Sequence, residues 1–88
     1  MSRGHRRKES DLNPLSRKLL GYLQVNLKKY RDLKNLTQAQ LADSAGLHVS
    51  TIADLEQGEM PNITIDTYCS IVSGLGLSKD CLTLLEKP

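Results

Sequence analysis

Apolar residues recur along this chain at helical spacing, in segments separated by short polar stops. Leu15, Leu19, Leu23, Leu27 and Tyr30 follow one another every three or four positions, which predicts an amphipathic helix. Asn13 can cap its start and Pro14 suits its first turn, so the helix runs from there to about Asp32 or Leu33. Gly21 within it costs about 1 kcal/mol relative to Ala, and Tyr22 and Val25 fall off its main stripe. Next, Thr37 and Gln40 stand at capping-box spacing, each able to satisfy the other's backbone amide. They predict a helix start near Gln38. Leu41, Ala42 and Ala45 give that helix an apolar side, and Gly46 stops it at a position that favours positive φ. A third helix from about Val49 to Gln57 turns Ile52 and Leu55 inward and ends at Gly58. The turn between the second and third is so short that these helices must cross steeply and share a core.

After a loop through Asn62, Thr64 and Thr67 open a fourth helix whose core face is Ile65, Tyr68, Ile71, Val72 and Leu75, with Gly76 at its close. Ser78 is a good cap for a fifth, from Lys79 to about Leu85, with Cys81, Leu82, Leu84 and Leu85 on a broad apolar face. A helix of two turns does not hide all of that face internally, which points to a second subunit. Residues 1–12 are polar and without periodicity and read as a flexible basic arm; residues 13–88 form the domain.

The stretch from Leu36 to Gly58 resembles the helix-turn-helix of the phage repressor and Cro family (Xre-like). Leu36-Thr37-Gln38, Leu41-Ala42, Gly46, Ile52, Glu56 and Gly58 all fall in step with that family's pattern. The resemblance implies an all-α, five-helix, lambda-repressor-like domain. Its first helix would extend about two turns upstream of the family's usual start. Such domains bind double-stranded DNA as regulators of transcription, with the second motif helix in the major groove and the first crossing the backbone. Carried over by position, the candidates at the DNA are Gln38 at the start of the crossing helix, then His48, Val49, Ser50, Thr51, Ala53 and Asp54. Gln57 and Asn62 fall where phosphate contacts are usual. Arg31 and Glu56 match the family's ion pair between first helix and recognition helix. A homodimer through the C-terminal helix is also implied.

Charge alters this picture. Of twelve Lys and Arg, ten lie between Arg3 and Lys34, and the stretch from Asn35 to Ser78 has none while holding five acids. The motif brings no cation to the phosphates that supply most non-specific affinity. Lys28 and Lys34 on the first helix, and Arg3, Arg6, Arg7 and Lys8 on the arm, are left to provide it. The rival reading is a protein-binding helix-turn-helix module of antitoxin or antirepressor type, with a protein partner in place of DNA.

With 88 residues, one domain is expected, burying about 60% of its unfolded surface. Phe and Trp are absent, so aliphatic packing carries the core. Cys69 and Cys81 read as small core residues, and no secretory signal supports a disulfide, since Glu9-Ser10-Asp11 stand where a signal needs an apolar run. No segment can span a bilayer, and a cytoplasmic location is expected. An enzyme is excluded: His5 and His48 have no partners at metal or triad spacing, no Gly-rich phosphate loop is present and the core is too small for a deep pocket. No cofactor or metal is expected.

Overall fold

The computed structural model describes residues 13–59 and 63–88, and within them every element is helical. Helix α1 spans Pro14–Leu33, α2 Gln38–Ala45, α3 Val49–Gln57 and α4 Ile65–Gly74. The arm of residues 1–12 and Asn62 lie outside the described residues.

The local signals act where the sequence placed them. Asn13 Oδ1 accepts from the Leu15 amide at 2.8 Å, and Thr37 and Gln40 form the full capping box, with amide contacts of 3.0 and 2.9 Å. Thr64 caps α4 through the Thr67 amide. Gly46 and Gly58 end α2 and α3 at φ of 69° and 72°. At Gly58 a Cβ would also lie 2.9 Å from the Gln24 side-chain oxygen, so the Gln24 amide that bonds the Glu56 carbonyl would have to shift. Only the three residues Gly46, Leu47 and His48 join α2 to α3, and Leu47 closes onto the Ala42 carbonyl at 2.9 Å.

Leu23, Leu27, Leu41, Ile52, Ile71, Leu75 and Leu84 are fully buried and come from every helix and the C-terminal segment. Helix α2 packs against both α3 and α4, with Gly74 so close to Ala45 that a Cβ would meet its methyl at 3.0 Å. Helix α1 packs against α3 and the C-terminal segment. Its first turns reach beyond this core, which leaves Leu15 60% exposed.

Several apolar expectations fail at the ends of elements. Ile65, expected in the core, begins α4 and is 79% exposed. Cys69 follows buried Tyr68 on the solvent side of that helix, and Cys81 lies in the tail; both are exposed free thiols rather than core residues. The expected fifth α-helix is instead two single 3-10 turns, Ser78–Asp80 and Thr83–Leu85. Ser78 sits inside the first of these, with Leu77 in the cap position.

The reason lies in where the tail's carbonyls go. An α-helix would pair the Cys81 carbonyl with the Leu85 amide, but the Tyr68 hydroxyl donates to that carbonyl and the Leu85 amide bonds to Leu82 at 2.9 Å. Tyr68 is an ordinary phenol donor at neutral pH, and burial pushes it further above its usual range. Asn26, buried on α1, donates from Nδ2 to the carbonyls of Leu84 at 3.0 Å and Glu86 at 2.7 Å. Leu84 is thereby seated in the core, while Leu82 stays 65% exposed.

Replacing Asn26 by Ala strands these carbonyls. The substitution is expected to lower unfolding stability by about 1–3 kcal/mol, read from the urea midpoint at constant slope. A midpoint equal to wild type would show that the tail does not depend on this amide.

Candidate nucleic-acid interface

The arrangement of α1, α2 and α3 converges on one carboxylate. Arg31 reaches from α1 to Glu56 on α3 with two parallel bonds, Nε to Oε2 at 2.6 Å and Nη2 to Oε1 at 2.9 Å. Its Nη1 donates to the Leu36 carbonyl just before α2, at 2.7 Å. Gln38, in the first turn of α2, donates to Glu56 Oε1 at 3.0 Å. Gln24 on α1 takes the Glu56 backbone carbonyl at 3.1 Å. The Arg31 and Glu56 side chains are only 10% and 5% exposed. Burial alone would raise the Glu56 carboxyl; the bonds from Arg31 and Gln38, with the nearby charge of Arg31, outweigh it and hold the group below its ordinary value of 4.5. Arg31 is raised by the same bond with Glu56.

Glu56, Ile52 and Leu55 occupy the inward side of α3, so at about 100° per residue Ser50, Asp54 and Gln57 fall on the opposite side with Ala53 at its border, while Val49, seven positions before Glu56, lies within about 20° of it at the N-terminal end of the helix. Val49 is 47% exposed, Ser50 and Gln57 are exposed, and Ala53 and Asp54 are half-buried. Thr51 is also half-buried and lies toward the inward side. His48 is exposed at the N-cap, yet its side chain makes no capping bond. Gln38 does meet α3, as the brace on Glu56.

The cations lie elsewhere than on the exposed side of α3. Lys28 Nζ pairs with Asp32 at 3.1 Å within α1. Lys34 Nζ lies 3.9 Å from the Cβ position of Gly76, past the end of α4. A positive charge is favoured there by the helix dipole. The exposed side of α3 itself holds no Lys or Arg. Among the described residues no group of three or more metal-ligating side chains comes together, and no helix is long and apolar enough to cross a membrane.

Gln24 and Asn26 are functional supports that the sequence reading missed. Asn26 had a visible signal, a polar residue at the register of the apolar stripe, seven after Leu19 and three after Leu23. Gln24 had none, since an amide on a helix reads as surface.

The family described as helix-turn-helix matches residues 27–80, which hold α2, α3, α4 and the end of α1. The chain belongs to the helix-turn-helix family. The resemblance to the phage repressor and Cro type is thereby borne out, and the family is one of DNA-binding regulators. The chain is 38% identical over 56 residues to control protein C.SmaI of Serratia marcescens, a match covering 64% of this chain and 66% of that protein. The match thus spans just under two thirds of that relative's length. No solved structure matches the chain. Most of α1 before Leu27 and the tail after Asp80 fall outside the family match.

Glu56→Ala leaves a guanidinium buried without its carboxylate, and is expected to cost about 3 kcal/mol or more in unfolding free energy. A lowered carboxylate stabilises the fold above its unfolded value and loses that stabilisation as pH falls through its folded value. Stability of the native protein should therefore decline below about pH 4.5, and Glu56→Gln should flatten that part of the profile. Equal acid profiles for the two proteins would mean that Glu56 is not the group involved.

Proposed function

We propose that this protein is a sequence-specific DNA-binding regulator of transcription that binds its operator as a homodimer, with the N-terminal half of α3 in the major groove. The observation that carries this reading is the orientation of α3. One edge is locked to α1 and α2 through Glu56, and the opposite edge presents Ser50, Asp54 and Gln57, with Ala53 at its border and Val49 exposed at the helix start. Helix α2 crosses the DNA backbone with Gln38 at its leading end, and Gln38 holds the reading helix rather than reading bases itself. Val49 and Ala53 suit apolar contact with a thymine methyl, Ser50 can donate to or accept from a base, and Asp54 can accept from the cytosine amino group. His48 and Thr51 border this face and Gln57 serves phosphate. Asn62, Lys28, Lys34 and the arm residues Arg3, Arg6, Arg7 and Lys8 supply further backbone contacts.

Dimerisation is assigned to the C-terminal end. Leu82 is 65% exposed there, and the Tyr68 bond to Cys81 ties the tail to α4, whose first residue Ile65 is 79% exposed. A two-fold interface uses the same patch twice, so an apolar side chain such as Leu82 can meet its own copy without charge repulsion.

The acidic character of α3 favours the second reading, a helix-turn-helix module that engages a protein. Asp54 separates the two. Asp54→Asn keeps the size and removes the charge. If Asp54 accepts from cytosine, the variant should lose about 1–3 kcal/mol at one base position and relax the preference there; if it lies near phosphate, binding to every duplex should tighten. Affinities for fragments selected from random duplexes, and for random duplex, report which. Unchanged affinity for both, with weaker binding to a protein partner from the same cell, replaces the DNA reading by the protein-binding one.

A further inference from the structure

The cations missing from α3 are gathered on another surface. Arg17, Lys18, Gly21, Val25, Lys28, Lys29 and Asp32 are all exposed, and on a helix of 3.6 residues per turn they fall within one arc of about 120° on α1. This side carries four cations and one carboxylate, and its centre is low because Gly21 and Val25 lie between the two basic pairs. Lys18 and Lys29 extend over the rings of Tyr22 and Tyr30, with ammonium-to-centroid distances of 6.0 and 5.5 Å. The eleven steps from Lys18 to Lys29 measure about 16 Å along the axis. That reach exceeds the ~12 Å width of a major groove, so the two ends can meet different phosphates.

The position of this surface relative to α3 is fixed by a groove. Gln24, Val25, Lys28, Lys29 and Asp32 on α1 line an open cleft of about 400 Å³ whose far wall is Glu56 of α3. Gln24 bonds to the Glu56 carbonyl at its base. The downstream part of the basic side, from Val25 to Asp32, therefore borders on α3 at Glu56, while Arg17 and Lys18 lie further up α1, in the part outside the family match.

We propose, resting on the DNA-binding reading above, that the outer side of α1 from Arg17 to Lys29 is a phosphate-contacting surface that grips duplex backbone flanking the segment under α3. Duplex DNA offers one charge per ~1.7 Å of axis, and each phosphate neutralised releases counterions. Lys28 is already met by Asp32, so Arg17, Lys18 and Lys29 carry most of the effect. The contact is to backbone and serves every sequence alike. Such a division explains how an anionic reading helix can be held against DNA, with affinity supplied by α1 and selection by α3.

The test measures the dependence of binding on salt for the full chain, using a random-sequence duplex and a fragment selected from random duplexes. Lys18→Gln with Lys29→Gln is expected to reduce the log–log salt slope by about 1.8, at ~0.9 per phosphate contact, on both duplexes equally. Lys18→Arg with Lys29→Arg should keep the slope, and Lys79→Gln with Lys87→Gln, an equal change of charge elsewhere, should leave it unchanged. A wild-type slope in the first variant overturns the α1 surface while leaving DNA binding intact. An equal loss in the Lys79/Lys87 variant overturns it too, because net charge and not this face then sets the slope. Absence of salt-dependent binding by the wild-type protein defeats the DNA-binding reading itself, and the α1 surface with it.

Discussion

The Glu56 carboxylate is the one group that α1, α2 and α3 all address, and the usefulness of the fold follows from how it is satisfied. A carboxylate with 5% of its side chain exposed cannot remain charged without partners. Here both oxygens accept from Arg31 and one also accepts from Gln38. A buried pair of this kind adds little net stability over apolar packing, because desolvation consumes most of the attraction. Its effect is on geometry. Two parallel bonds from a planar guanidinium define direction as well as distance. The rotation of α3 about its axis is thereby set, and with it the turning outward of Ser50, Asp54 and Gln57.

A second constraint acts on the opposite side of α1. The tail forms no regular helix, and its fold is held by side chains that grasp its carbonyls, Tyr68 at Cys81 and Asn26 at Leu84 and Glu86. This places Leu84 in the core without hiding Leu82. The upstream half of α1, which the family match does not include, is joined through Asn26 to the segment after Asp80, which it also does not include. The two additions thus support one another, and the longer α1 also carries the basic side that α3 lacks.

What was legible in the sequence was what depends on neighbours along the chain. The starts of α1, α2 and α4 and the stops of α2 and α3 each rest on a residue within three positions, such as Thr37 with Gln40 or Gly58 alone, and each forms where expected. The candidates on α3 came from the family resemblance, carried over by position. Residues at element ends were misread, because periodicity assumes that the partner surface continues: Ile65 and Leu15 are in register but project past the core. The tail was misread because its backbone bonds go to Tyr68 and Asn26, far away in sequence. Arg31 and Glu56 were found through family resemblance and meet as expected, whereas the role of Gln24 depends on a carbonyl that no sequence pattern marks.

The central claim is that the outward side of α3 meets DNA through the major groove, and interference by base modification tests it most directly. Fragments selected from random duplexes would be sparsely methylated at guanine N7, which lies in the major groove, or at adenine N3, which lies in the minor groove, and the bound and unbound fractions compared. Depletion of N7-methylated positions from the bound fraction, clustered in two half-sites about one helical turn apart, is the predicted result. Depletion confined to adenine N3, or a pattern with no preferred position in fragments that still bind, would contradict the placement of α3 in the major groove.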